Sequence, residues 1–166
     1  MRIDIRTAAD KSDFPAVSEV INSAWRVCYS GILPDEVIER YAAQRAESLA
    51  KLLSDSDTVM YVLECDKVVR AVCTAVRCTS GRYRDYANVI QLYVAPNEHH
   101  KGLGRKLLSH TLRALREKGY RNAVLDCLEK NTAARRFYEK FGFEFVKNEA
   151  STVFADTEIS VYTIEL

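Results

Sequence analysis

The chain has 166 residues, of which 48% are apolar and 28% charged, and its formal net charge is +1 at pH 7. This length matches one ordinary domain of about 100–200 residues, and the composition excludes a disordered or collagen-like chain. The even balance of charge argues against a protein that binds nucleic acid through a strongly basic surface.

Neither a membrane segment nor a metal site is expected. No apolar run approaches the ~18 residues that cross a bilayer. The charged residues among the first six leave no apolar stretch for a signal peptide, so we expect a cytoplasmic protein. The cysteines are scattered without a Cys-x-x-Cys pair, and histidines are few, so we expect free thiols and no bound metal.

In the first half of the chain, the pattern predicts one strand, two helices and a hairpin. Residues 2–7 alternate isoleucine with charged residues, as a half-buried strand does. Asp13 is predicted to cap a first helix that ends near residues 29–31. A second helix is predicted to begin after Pro34 and to continue to about Leu53. The predicted hairpin consists of Val59–Glu64 and Val68–Val76.

In the second half, strands alternate with helices. Val89–Val94 is predicted as a strand that Pro96 ends, because proline cannot donate to a ladder. Leucines at spacings of three and four predict an amphipathic helix over 103–118. This order indicates one α+β domain over residues 1–166, built on a mixed sheet. The remaining predicted elements are strands at 123–127, 143–146 and 159–164 and a helix at 132–141.

The loop before the helix at 103–118 has the features of a phosphate-binding turn. Gly102 and Gly104 let backbone N–H groups approach an anion, and the start of the helix adds unpaired donors. Lys101 and Arg105 add positive charge at the same end. The glycine spacing matches neither a Walker loop nor a dinucleotide fingerprint. A turn beside a solvated basic helix face is the alternative interpretation.

Three segments resemble the GNAT superfamily of N-acetyltransferases. Leu92-Tyr-Val-Ala-Pro96, followed by Lys101-Gly-Leu-Gly104 and the leucine-rich helix, looks like the acetyl-CoA-binding core of that family. Asn131–Phe143 resembles its second conserved block, and Ala24–Pro34 is similar to the first two helices of many bacterial members. The resemblance covers essentially the whole chain. It implies a single GNAT-like domain whose mixed central sheet is splayed in the middle and flanked by about four helices.

The resemblance also implies roles for individual residues. The backbone of Leu92 and Val94 would pair with the pantetheine arm of acetyl-CoA, and Asn131 would hydrogen-bond the same arm. Tyr138 would act as general acid when the thiolate leaves, and its alternative is a core aromatic residue. The loop whose amides would surround the pyrophosphate consists of His99, His100, Lys101, Gly102, Leu103, Gly104 and Arg105.

Three positions depart from the family pattern, and one of them is Arg70, where the turn before the third strand often carries glycine. His99 stands where the family usually has glutamine or arginine, a change that backbone binding would survive. Asn88 stands where some histone-modifying members have a glutamate base, and an amide cannot take a proton from an ammonium. We therefore expect a base elsewhere, or deprotonation through water. Cys127 could carry an acetyl group in a ping-pong mechanism, and its alternative is a buried structural thiol.

We expect an enzyme that transfers an acetyl group from acetyl-CoA to a primary amine of a small molecule or protein by direct attack. The alternative is a CoA-binding sensor or interaction module without turnover. Trp25, Tyr29 and the connection 79–86 are the candidates for contact with the acceptor. Acids outnumber bases over residues 35–66, which could attract a cationic amine or simply form a solvated surface. No nucleic-acid or membrane partner is expected. Formation of a homodimer is possible.

Overall fold

The computed structural model describes residues 1–8 and 10–166. Their strands are β1 (Ile3–Thr7), β2 (Val59–Cys65), β3 (Val68–Arg77), β4 (Ala87–Val94), β5 (Asn122–Leu128), β6 (Glu144–Ala150) and β7 (Glu158–Glu165). Their helices are α1 (Phe14–Cys28), α2 (Asp35–Ala43), α3 (Arg45–Leu53), α4 (Leu103–Glu117) and α5 (Thr132–Phe141). None of these helices is long and apolar enough to span a membrane.

The strands form one mixed sheet in the order β1-β2-β3-β4-β5-β7-β6. Every neighbouring pair is antiparallel except β4 and β5, which are parallel. The expected α+β architecture with a mixed sheet is confirmed. The hairpin of β2 and β3 turns through Asp66 and Lys67, which both have positive φ, as the tightest hairpin turns require.

Alternate residues of the central strands face two separate cores. Val72 of β3 lies in the core formed with α1, α2 and α3, whereas the next residue, Cys73, lies in the core formed with α4 and α5. Burial on both faces explains why the central strands are mostly apolar rather than regularly alternating with polar residues. The leucines predicted to form one face of α4 are buried against this second core. The sheet therefore separates an α1 face from an α4–α5 face.

The sheet parts between β4 and β5. Their only pairs within the described chain are Ala87 with Ala123 and Asn88 with Val124, although β4 continues for six more residues, to Val94. A bulge bends β4 just beyond this point, because the register with β3 skips Ile90. The splay expected from the family resemblance is confirmed, and it leaves an open gap in the middle of the sheet.

The prediction of one long helix after Pro34 is wrong, because this segment forms two helices, α2 and α3, which meet at Gln44. The change of direction lets both halves contact α1 and buries Ile38 of one and Leu49 of the other. Arg45, the first residue of α3, is buried with its guanidinium 4.5 Å from the centre of the Trp25 ring. Sequence periodicity did not reveal this break, because neither glycine nor proline occurs there.

The start of α1 differs from its prediction in the role of Asp13. The helix begins at Phe14, but the Asp13 carboxylate makes no capping hydrogen bond. It accepts hydrogen bonds of 3.0 and 2.7 Å from the Arg6 guanidinium. Asp13 therefore connects α1 to β1, and this pair between two elements replaces the helix cap that the sequence pattern favoured.

Candidate active site

The gap between β4 and β5 opens into a cavity of about 650 Å³. Its walls come from both faces of the sheet: α1 on one side, and α4 and α5 on the other. Such a cavity, in which side chains from both faces meet the backbone of a parted sheet, is the candidate active site. The predicted site residues that line it are Tyr29, Leu92, Val94, His99, His100, Gly102, Leu103, Gly104, Arg105, Asn131 and Tyr138.

Unpaired backbone groups of β4 face this cavity. In an antiparallel ladder, alternate residues bond to the neighbouring strand. The hydrogen bond from the Ala95 N–H to the Arg70 carbonyl, 2.8 Å long, fixes this alternation at the end of β4. Tyr93 therefore bonds to β3, whereas Leu92 and Val94 direct their N–H and C=O groups away from it, toward the gap. An extended ligand could add to β4 here as a further strand does.

The loop that enters α4 presents backbone donors at one end of the cavity. His100 and Gly102 both have positive φ, at +64° and +78°, which turns the chain sharply into the helix. The first N–H groups of a helix have no partner inside it and carry a partial positive charge. Lys101 is the one predicted loop residue that does not line the described cavity, because its ammonium is 2.9 Å from Glu98 Oε2.

Gly104 is required for close packing rather than for an unusual backbone angle. A Cβ at this position would lie 3.3 Å from Val94 Cγ2 and 3.7 Å from Phe137 Cζ. The first turn of α4 therefore packs directly on the end of β4 and on α5. This close approach keeps the helix N-terminus beside the open backbone groups of β4.

Tyr138 extends from α5 into the cavity. Only 9% of the residue is exposed, and its ring packs edge-on against Phe137 and Phe143 at 5.3 and 5.8 Å. Its hydroxyl has no hydrogen-bond partner among residues 1–8 and 10–166. Burial raises the pKa of Tyr138 well above its ordinary value, and the neighbouring Cys127 raises it further. The hydroxyl is therefore protonated at neutral pH and available to donate.

Asn131 occupies the start of α5, where its side chain has two uses. Its Oδ1 accepts a hydrogen bond of 3.2 Å from the Ala134 N–H and so caps the helix. Because this oxygen is used within the fold, the side-chain NH₂ is the group that a ligand in the cavity could meet. The capping bond fixes the direction in which that group points.

Asp126 is a cavity residue that sequence reasoning missed. It precedes Cys127 on β5, so it points to the α1 face, whereas Cys127 points to the α4–α5 face. It forms no ion pair or hydrogen bond within the described chain. Its pKa is raised, mainly by burial of the carboxylate and then by Glu149. The residue as a whole is exposed because it opens onto the cavity. Its only sequence signal was an acid inside an otherwise apolar strand.

The α1 face of the cavity carries a pair of tyrosines. The Tyr29 hydroxyl lies 3.2 Å from that of Tyr93, and burial raises the pKa of both. Trp25, predicted as an acceptor contact, does not line the described cavity. It lies behind Tyr29, with ring centres 5.0 Å apart. The connection 79–86 is also absent from the described lining and lies at the opposite, paired end of β4.

Cys127 lines the cavity but is a poor nucleophile. Burial, followed by the charge of Asp126, raises the pKa of its thiol to about 12, and the thiolate is the reactive form. No hydrogen bond joins it to a base within the described residues. This environment favours the structural alternative over an acetylated cysteine. Among residues 1–8 and 10–166, no group of three or more His, Cys, Asp or Glu side chains is placed so that it could hold a metal ion.

Comparison with known proteins agrees with this geometry. A family model described as "Acetyltransferase (GNAT) family" matches residues 17–143. A protein of Mycobacterium tuberculosis named a probable N-acetyltransferase is 30% identical over 139 residues, which cover 82% of this chain and 77% of that protein. The spermidine N(1)-acetyltransferase of Thermoplasma acidophilum is 25% identical over 165 residues, which cover 91% of this chain and 94% of that protein.

A solved structure has the same fold. The PaiA N-acetyltransferase of Thermoplasma acidophilum, crystallised in complex with coenzyme A, superposes with a TM-score of 0.78 at 22% identity. The superposition covers 97% of this chain and 98% of that protein.

The first turn of α4 yields a test of anion binding. Gly104→Asp and Gly104→Asn add side chains of nearly equal size against Val94 and Phe137, but only aspartate adds a negative charge. We expect the aspartate variant to bind coenzyme A at least about tenfold more weakly than the asparagine variant, because its charge repels the pyrophosphate. Calorimetry measures both affinities, and thermal unfolding checks that both variants fold. Equal affinities would mean that the phosphates bind elsewhere.

Proposed function

The chain belongs to the acetyltransferase (GNAT) family, and from this premise we propose that it transfers the acetyl group of acetyl-CoA to a primary amine by direct attack. One observation carries the mechanism: a tyrosine hydroxyl and a carboxylate, neither with a partner among the described residues, enter one cavity from opposite faces of the parted sheet. Residues 1–166 would act as a single N-acetyltransferase domain.

Acetyl-CoA would bind along the open side of β4. Its pantetheine arm has amide groups that can pair with the backbone of Leu92 and Val94, as an added strand would. Its pyrophosphate would lie against the N–H groups of residues 99–105, where the helix dipole of α4 and the Arg105 guanidinium favour negative charge. This arrangement directs the thioester inward, between Tyr138 and Asp126.

The acceptor amine would approach from the α1 face. Most primary amines are ammonium ions at neutral pH, so one proton must leave before the nitrogen can attack. Asp126 lies on that face, and its raised pKa makes it a better proton acceptor than an ordinary aspartate. It would fill the role that Asn88 leaves vacant.

Tyr138 would act on the leaving group from the other face. When the amine nitrogen bonds to the carbonyl carbon, the C–S bond breaks and the electron pair goes to sulfur. The Tyr138 hydroxyl would hydrogen-bond this sulfur and donate its proton as the thiolate forms. Because burial raises its pKa, Tyr138 is a weaker acid than ordinary tyrosine, so stabilisation of the developing charge would be its main contribution. The second proton of the nitrogen, lost as the amide forms, would return through water to Tyr138, and Asp126 would release the first proton to solvent.

A direct transfer agrees better with the cavity than a ping-pong route. A thiol whose pKa is about 12 at Cys127 is almost fully protonated at neutral pH. A sensor without turnover is also less well supported, because it would have no use for an unpaired hydroxyl and an unpaired carboxylate at the same point. Desolvation by burial is the main cause of the raised pKa of both groups.

The acceptor is proposed to present one ammonium group to Asp126. The acids of residues 35–66 do not form a cationic-ligand surface at the cavity: Glu39 pairs with Arg26 at 2.7 Å and Glu64 with Arg6 at 2.8 Å. None of the described cavity-lining residues belongs to that segment. Since one relative is named for spermidine, spermidine should be assayed beside monoamines and peptide N-termini.

Replacing Tyr138 tests its role against a matched control. Tyr138→Phe removes a hydroxyl without a partner in the described fold, so we expect unchanged stability and a turnover rate about 10²-fold lower. Tyr162→Phe removes a buried hydroxyl that bonds to Glu139 at 2.9 Å and Arg135 at 3.2 Å. That control should lose about 1 kcal/mol of unfolding free energy and keep its chemistry.

The decisive measurement is single-turnover acetyl transfer at saturating acetyl-CoA, paired with thermal unfolding of both variants. Equal rates for wild type and Tyr138→Phe would remove this residue from the mechanism. If no amine of the panel leads to consumption of acetyl-CoA, the result would favour the sensor without turnover.

The proposed role of Asp126 as the base predicts that kcat/KM depends on pH. The base must be ionised, so kcat/KM should fall as the pH drops through a pKa above the ordinary aspartate value of about 3.9. Asp126→Asn should remove this acid limb and lower kcat/KM about 10²-fold near neutral pH, with a smaller defect at high pH, where the amine is already neutral. Glu149→Gln removes a charge that raises the pKa of Asp126, so it should move the limb to lower pH. An unchanged limb in Asp126→Asn would assign it to another group.

A further inference from the structure

His99 makes a contact that its place in the phosphate loop does not require. Its Nε2 lies 2.9 Å from the carbonyl oxygen of Val94, five residues earlier. Because a carbonyl only accepts, the imidazole carries its proton on Nε2 and donates it. Both residues line the cavity, and the Val94 carbonyl is one of the groups that β4 directs toward the gap.

The contact joins two parts of the cofactor site, the loop before α4 and the end of β4. Within the loop, Glu98 is buried, and its carboxylate lies 2.9 Å from the Lys101 ammonium and 3.8 Å from Arg70 Nε. The His99 ring ties the loop to the backbone of β4, in addition to the packing of Gly104 on Val94. Directly after His99 the chain turns through His100, whose φ is +64°.

We propose that His99 is a positioning residue for acetyl-CoA, an inference that rests on the proposed function. Its imidazole sets the distance between the end of β4, where the pantetheine arm would pair, and the loop amides that would hold the pyrophosphate. Since a single cofactor must satisfy both sets of groups at once, an error in their separation weakens binding of the whole molecule.

The same contact assigns the pairing of Val94 more narrowly. Its carbonyl oxygen already accepts the His99 proton with one of its two lone pairs, whereas its N–H is left unengaged by this contact. Val94 would therefore pair with the pantetheine arm mainly as a donor to a carbonyl, and Leu92 can offer both of its groups.

The test compares the binding of two ligands to the wild-type protein and to two variants of His99. His99→Phe keeps a ring but removes the donor, and His99→Gln keeps an N–H donor on a side chain of similar reach. The ligands are coenzyme A, which spans both parts of the site, and pantetheine, which lacks the pyrophosphate and meets only the gap. Calorimetry of these ligands needs no acceptor amine, so it tests His99 even where the assay for acetyl transfer fails.

We expect His99→Phe to weaken coenzyme A binding about tenfold, the effect of one lost hydrogen bond, and to leave pantetheine binding within about twofold. His99→Gln should restore most of the affinity. In turnover, the Phe variant should show a raised KM for acetyl-CoA with a nearly unchanged kcat. Three results would each overturn the proposal: normal coenzyme A binding by His99→Phe, no rescue by glutamine, or an equal loss for pantetheine.

Discussion

The parting of β4 from β5 is the constraint on which the rest of the site depends. Parallel pairing stops after Asn88, yet β4 continues to Val94, so backbone groups in the middle of a sheet are left without a neighbouring strand. Buried N–H and C=O groups are nearly always paired in proteins. A ligand with amide groups of its own, lying along β4, would complete this ladder. The bulge at Ile90 and the close packing at Gly104 keep the gap open at one end.

An open gap also brings together groups that a continuous sheet would keep apart. Asp126 and Cys127 are neighbours on β5 but point to opposite faces, and Tyr138 comes from α5 while Tyr29 comes from α1. In an unbroken sheet the backbone would separate these side chains. Here a carboxylate on one face and a phenol on the other share one cavity, as a reaction with separate proton donor and acceptor requires. Desolvation keeps the phenol protonated and makes the carboxylate more basic.

Local patterns predicted most of the architecture and part of the site. The leucine spacing of α4, the glycines before it and the block around Tyr138 are signals within a few residues, and the structure brings these segments to one cavity. The break at Gln44, the pairing of Asp13 with Arg6 and the exposure of Asp126 depend on contacts between different elements of the fold. Periodicity carries no information on such contacts. Trp25 shows the opposite limitation of sequence patterns. It belongs to the helix that contributes to the cavity wall, but its ring lies behind Tyr29 and not in the cavity lining.

Amide hydrogen exchange measured by NMR tests the central claim most directly. The N–H groups of Leu92 and Val94 face the gap, whereas that of Tyr93 bonds to β3 and serves as the internal control for global opening. With saturating coenzyme A, exchange at Leu92 and Val94 should slow by at least about tenfold relative to Tyr93. If coenzyme A binds and the relative exchange of these two amides does not change, the cofactor does not pair with β4, and the account is wrong.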